Sequence, residues 1–175
     1  EAVINAAAYT AVDRAEVEPE TAFAINAAAP ARIAARCAAE GIPLVHISTD
    51  YVFDGCRREP YREEDPVAPL GVYGRSKAEG EAAVRAALDR HVIVRTAWLY
   101  SAHCANFVKT VMRLVGERDE LRIVDDQTGS PTCAENLAAA LLGIAVRRGT
   151  TPWGTYHYCG AGVTSWCGLA RHVLD

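Results

Sequence analysis

Lysine is almost absent from this 175-residue chain: of its 18 basic residues only Lys77 and Lys109 are lysines. The six cysteines, Cys37, Cys56, Cys104, Cys133, Cys159 and Cys167, form no C-x-x-C pair. No histidine cluster lies beside them, which argues against a zinc site. Disulfide frameworks belong mostly to shorter secreted chains. The thiols therefore read as free, scattered and buried, in a reducing cytoplasm. The longest apolar run, LAAALLGIAV, has ten residues, half of the ~20 that a membrane-spanning helix needs. Positive charge is not in excess: 18 basic and 22 acidic residues leave a net charge of −4. That disfavours nucleic acid or an anionic membrane surface as the main partner. No signal peptide is visible, and no G-x-x-G-x-x-G turn is found. The opening EAVINAAAYT reads as the middle of a fold, so the native start is not expected at residue 1.

Half of the residues are hydrophobic, enough for one domain with a real core. Compact apolar runs predict strands at AVINAAA, IPLVHIST, HVIVRTA, LRIVDD and TYHYCG. Between them, helical spacing predicts helices over 18–41, 73–88, 106–118, 133–148 and 164–175. Gly41 stops the first of these, and Thr164 or Ser165 caps the last. Residues 54–72 read as a long loop. Glu79, Glu81 and Arg85 are expected on the solvent side of the 73–88 helix. Strands alternating with helices of this length imply βαβ units and a parallel sheet. The expected fold is therefore α/β and Rossmann-like, with helices on both sheet faces. In such sheets ligands sit outside the carboxyl ends of the strands. AAAYT, STDYVFDG and RTAWLY all fall at such ends and carry polar or aromatic groups, which favours one shared pocket over three unrelated turns.

Tyr73 and Lys77 stand four apart at the start of a helix and so share a face. The pair alone is a weak motif, but its chemistry is specific. A free phenol titrates near ~10, too high for easy proton exchange at neutral pH. A neighbouring ammonium favours phenolate and lowers that value, giving a proton donor or acceptor for a carbonyl or hydroxyl. Ser48 or Thr49, ending the preceding strand, could hold the same substrate oxygen. Arginine would replace Lys77 poorly, because its broad guanidinium fits a compact hydroxyl contact badly.

A Ser or Thr at a strand end followed by Y-x-x-x-K resembles the short-chain dehydrogenase/reductase superfamily. NAAAYTAVDRAE, STDYVFDG, YGRSKAEGE, VRTAWLY, NFVKTV and DDQTGSPT, in that order, resemble its dTDP-4-dehydrorhamnose reductase family over nearly the whole chain. The resemblance implies an oxidoreductase of nucleotide-sugar and cell-envelope polysaccharide biosynthesis. It would reduce the C4 keto group of dTDP-4-dehydro-L-rhamnose with NADPH or NADH. Tyr73 would protonate the oxygen, Lys77 would assist it and hold the nicotinamide ribose, and Thr49 would orient the carbonyl. Ala6, Ala7 and Ala8 would form the small-residue turn at which backbone approaches the cofactor. Thr10 and Tyr51 would line the sugar pocket, Trp98 would pack against the sugar, and Asn106 would lie near the nucleotide. Some members bind Mg2+ at a dimer contact; this admits a homodimer and gives Glu135 a place among the metal's ligands. Segments of roughly 99–135 and 160–175 would belong to a small substrate lobe. Related dehydratases carry an acid where Tyr51 stands, and a reductase has no need of it. Two other readings stay open. One is a regulatory relative such as the β subunit of methionine adenosyltransferase; the other is a reductase or epimerase of a different nucleotide sugar.

Overall fold

A computed structural model describes residues 1–146 and 152–175. The chain divides into two units, the first comprising Glu1–Thr96 and Leu141–His157, the second Ala97–Ala140 and Tyr158–Asp175.

The first unit is built on a parallel sheet of β1 (Val3–Asn5), β2 (Leu44–Thr49), β3 (His91–Thr96) and β7 (Gly154–His157), adjacent in that order. Val92, Ile93 and Val94 form the apolar centre of β3, which is buried throughout, as is β2 apart from Ile47. Uniform burial without alternation is what a parallel strand covered on both faces requires. Between β1 and β2 run α1 (Val12–Ala15), α2 (Pro19–Phe23), a π-helical turn (Ala24–Ala28) and α3 (Ala29–Glu40). Pro19 opens α2, where a missing N–H costs nothing. Gly41, at φ 64°, closes α3 in the left-handed conformation that favours glycine. The turn Asp50–Val52 and a long loop lead to α4 (Val72–Ala87). Helices α3 and α4 pack Ala34, Cys37, Val84 and Leu88 onto Leu44 and Ile93 of the sheet.

Glu81 departs from the expected solvent face of α4: it is fully buried. Arg95 of β3 meets it with two hydrogen bonds of 2.9 and 2.7 Å, and Arg85 adds a third at 3.1 Å. A buried carboxylate is tolerable because it is paired this completely. Glu79 and Arg85 are exposed, as expected.

The second unit holds β4 (Leu99–Tyr100) paired with β6 (Thr132–Cys133), and β5 (Thr128–Gly129) paired with β8 (Thr164–Ser165). Its helices are α5 (Phe107–Val115), the first part of α6 (Ala134–Val146) and α7 (Trp166–Leu174). Asn106 and Ser165 cap α5 and α7 by accepting backbone N–H groups of Lys109 and Gly168. The expected strand LRIVDD is irregular. It finds no partner strand among the described residues, and Leu121, Ile123 and Val124 instead line a cavity of about 650 Å³ together with Phe107, Val111 and Trp166. The cysteines are free, but only Cys37 is buried; Cys56, Cys104 and Cys159 are exposed because they fall in loops and turns. Residues 147 and 148, at the end of the expected 133–148 helix, lie outside the described residues.

Candidate active site

Because β1 and β2 run parallel as neighbours, their carboxyl ends share one edge of the sheet. Ala6, Ala7, Ala8 and Thr10 follow β1, and Thr49, Asp50 and Tyr51 end β2. Ala6, Ala7 and Thr10 are exposed, and Ala8 is half-buried. Thr49 is buried; its hydroxyl donates to Asp50 at 3.1 Å and accepts the Tyr51 N–H at 3.2 Å. Helix α4 brings Tyr73 against this corner, with the Tyr51 and Tyr73 rings edge to face at 5.5 Å. The closeness depends on Gly74, where an added Cβ would come within 2.2 Å of the Tyr51 carbonyl oxygen.

Tyr73 and Lys77 share one face of α4, and both are buried. Burial pushes the Tyr73 phenol up to about 12, and the Thr49 hydroxyl pulls modestly the other way. Charge repulsion from Asp50 adds to the rise. This reverses the expectation that Lys77 lowers the phenol: the ammonium donates to the Ile47 carbonyl at 2.7 Å, and burial sets the direction at Tyr73. Burial also brings Lys77 down to about 8, with Glu81 opposing. The corner thus presents a protonated phenol, a hydroxyl beside it and a buried cation one helical turn away. Such a set can hold a carbonyl oxygen and deliver a proton to it.

Trp98, Asn106 and Glu135 belong to the second unit. Trp98 is half-buried and stacks on Trp166. Asn106 has both polar ends engaged, its oxygen capping α5 and its nitrogen donating to the Ser101 carbonyl at 2.8 Å. Glu135 is ionised more readily than usual, chiefly because it accepts the Cys133 thiol at 3.0 Å. One carboxylate beside a thiol does not make the octahedral oxygen site that Mg2+ demands. Among the described residues no three His, Cys, Asp or Glu gather around a common point. Glu135 alone therefore makes no Mg2+ site within these residues.

Sequence reasoning missed the residues that aim this corner. Glu16, 56 positions away, accepts the Val72 N–H at 2.7 Å and so holds the first turn of α4. Asn26 clasps the backbone of Tyr9 through both its amide groups, at 2.8 and 3.0 Å, and donates to Ser76 at 3.0 Å. Gly80 lets α4 lie directly on the Asn26 carbonyl. Asn5 donates to His46 Nδ1 at 3.1 Å while accepting the Ala7 N–H at 3.2 Å, which shapes the alanine turn. An asparagine inside an alanine-rich helical run was the one signal available, and it marks the π-helical turn, a feature often found at functional sites.

Residues 1–175 match the family model described as RmlD substrate binding domain. The chain is 46% identical over 177 residues to a dTDP-4-dehydrorhamnose reductase of Sinorhizobium fredii (strain NBRC 101917 / NGR234), covering 99% of this chain and 60% of that protein. It is 43% identical over 176 residues to a dTDP-4-dehydrorhamnose reductase of Escherichia coli (strain K12), covering 99% and 58%. Among solved structures it is similar to a dTDP-4-dehydrorhamnose reductase from Bacillus anthracis str. Ames in complex with NADP. The identity there is 42% and the TM-score 0.92, over 98% of this chain and 61% of that one. A dTDP-4-dehydrorhamnose reductase ortholog from Clostridium acetobutylicum ATCC 824 gives 43% and 0.93, over 98% and 60%. The chain thus spans about 60% of the length of the relatives it matches.

Proposed function

The chain belongs to the RmlD substrate binding domain family, and from that premise we propose that it carries the proton-transfer machinery of an NAD(P)H-dependent reductase. The substrate is dTDP-4-dehydro-L-rhamnose and the product dTDP-L-rhamnose. The observation that carries this reading is the buried Tyr73–Lys77 face of α4 set against Thr49. A reduction needs an acid that still holds its proton at neutral pH, as the buried Tyr73 phenol does, and a cation that favours its release once charge builds on the substrate oxygen, the part given to Lys77.

A nicotinamide held by this corner would supply the hydride for C4. Thr49 holds the carbonyl oxygen, and Tyr73 gives its proton to that oxygen as negative charge builds there. The Lys77 ammonium lies one turn along the helix, where it favours the transient phenolate and offers donors to a ribose hydroxyl. Ala6 and Ala7 are exposed and Ala8 is half-buried, and all three have side chains too small to obstruct a cofactor. Thr10 and the half-exposed Tyr51 flank the sugar. Trp98 covers the sugar, Asn106 stands near the nucleotide, and the second unit serves as the substrate lobe. The reading carries with it a homodimer and a cytoplasmic setting. Among the described residues no helix is long and apolar enough to cross a membrane.

The test is turnover of dTDP-4-dehydro-L-rhamnose by the full gene product, followed by loss of reduced nicotinamide, with NADPH and NADH compared. Oxidation of either cofactor with formation of dTDP-L-rhamnose is expected. A folded protein that turns over no nucleotide-4-ketosugar with either cofactor would replace this reading with the regulatory one.

A further inference from the structure

Trp98 is one of two non-glycine residues held at positive φ among the described residues, at 49°. A bulky aromatic side chain disfavours that backbone region, and such a residue persists only where its surroundings determine it. Three contacts do so. Trp166, the first residue of α7, stacks on the Trp98 indole with ring centroids 3.5 Å apart and planes 12° from parallel. Gly129 of β5 lies so close that an added Cβ would fall 2.6 Å from the indole ring. The Trp98 carbonyl accepts the Thr132 N–H at 3.1 Å. Trp166 is itself braced by Phe107, whose ring centroid lies 4.5 Å away.

We propose that Trp166 is a positioning residue for nucleotide-sugar recognition: it holds the Trp98 indole, against Gly129, in the orientation that meets the sugar. The inference rests on the reading that Trp98 packs against the substrate. Trp166 acts on affinity through Trp98, not by its own contact, and has no part in the proton transfer at Tyr73.

The test is a double-mutant cycle in the full gene product, with KM for dTDP-4-dehydro-L-rhamnose, kcat and KM for the nicotinamide cofactor all measured. Trp166→Ala is expected to raise the sugar KM roughly 3- to 10-fold, the scale of one aromatic pair. The expected kcat and cofactor KM stay within about twofold of wild type. Trp166→Phe keeps a ring in the stack and should restore most of the affinity. Gly129→Ala should reproduce the Trp166→Ala effect without touching Trp166. Circular dichroism monitors the stack independently, because two stacked indoles give an exciton couplet that Trp166→Ala and Trp98→Ala must both abolish. If Trp166 acts through Trp98, the double alanine variant has the sugar KM of Trp98→Ala alone. Effects that multiply would overturn the inference while leaving Trp98 in the site; they would assign Trp166 a separate role, such as one in the cavity it also lines. A Trp98→Ala variant with unchanged KM would remove Trp98 from the sugar site, and both readings would fall. A Trp166→Ala variant that binds the sugar normally yet lacks the couplet would overturn the inference directly.

Discussion

Replacing Gly74 by alanine tests whether the fit between α4 and the end of β2 governs the chemistry. The new Cβ would stand 2.2 Å from the Tyr51 carbonyl oxygen and 3.0 Å from Pro69 Cβ. Ordinary contact begins at 3.4 Å, so the helix and the Asp50–Val52 turn must part by 3.4 − 2.2, about 1.2 Å. Backbone is the obstacle, and it cannot swing aside as a flexible side chain would. Overpacking of this kind costs about 1–3 kcal/mol. Alanine returns about 0.5–1 kcal/mol of helix preference. The net loss of stability is then roughly 0–2.5 kcal/mol, which the fold can absorb. Catalysis cannot absorb it: a displacement near 1 Å at a reacting pair can cost about 10²-fold. G74A should therefore melt only slightly below wild type while kcat/KM for the ketosugar falls about 100-fold. The assays are a thermal melt and steady-state kinetics on the full gene product. Gly143→Ala in α6, where nothing lies within 4 Å of the added atom, is the matched control. A G74A protein with wild-type turnover would refute the claim that the fit between α4 and the end of β2 governs the chemistry.

Two further outcomes follow from the buried charges. Lys77 is lowered from 10.5 to about 8 in the fold, so below pH 8 folded and unfolded chains both carry its proton, and the burial cost of about 3 kcal/mol is present in full. Between about pH 8 and 10.5 the unfolded chain binds more protons, so this cost fades as pH rises. Lys77→Met should thus be inactive yet melt above wild type at pH 7, and lose that margin by pH 10.5; a margin that does not change with pH would contradict the assignment. Glu81→Ala leaves Arg95 buried without its partner and should cost about 3–5 kcal/mol in a denaturant titration, and a loss under 1 kcal/mol would place the pair nearer to solvent than described.

The parallel sheet was legible because IPLVHIST and HVIVRTA are apolar without alternation and are separated by a helix-length interval. The corner was legible as well: Thr49 ends a strand, and Tyr73 and Lys77 open the next helix. What escaped was whatever depends on a partner distant in sequence. Glu81 looks solvated on a helical wheel, and only Arg95, one strand away, explains its burial. LRIVDD has strand composition, but composition does not supply a neighbouring strand. The rise at Tyr73 was invisible because burial is a property of the folded shell, whereas the Lys77 spacing suggested the opposite sign. Trp166 is 68 positions from Trp98, and no local pattern links them.

The most direct test of the account is Tyr73→Phe in the full gene product, assayed with dTDP-4-dehydro-L-rhamnose and with calorimetric titration of NADPH in parallel. Loss of a positioned general acid lowers the rate by roughly 10² to 10⁴, so turnover should fall by that factor while NADPH affinity stays within about twofold of wild type. A phenylalanine variant with wild-type turnover would show that Tyr73 does not protonate the substrate and would contradict the account at its centre.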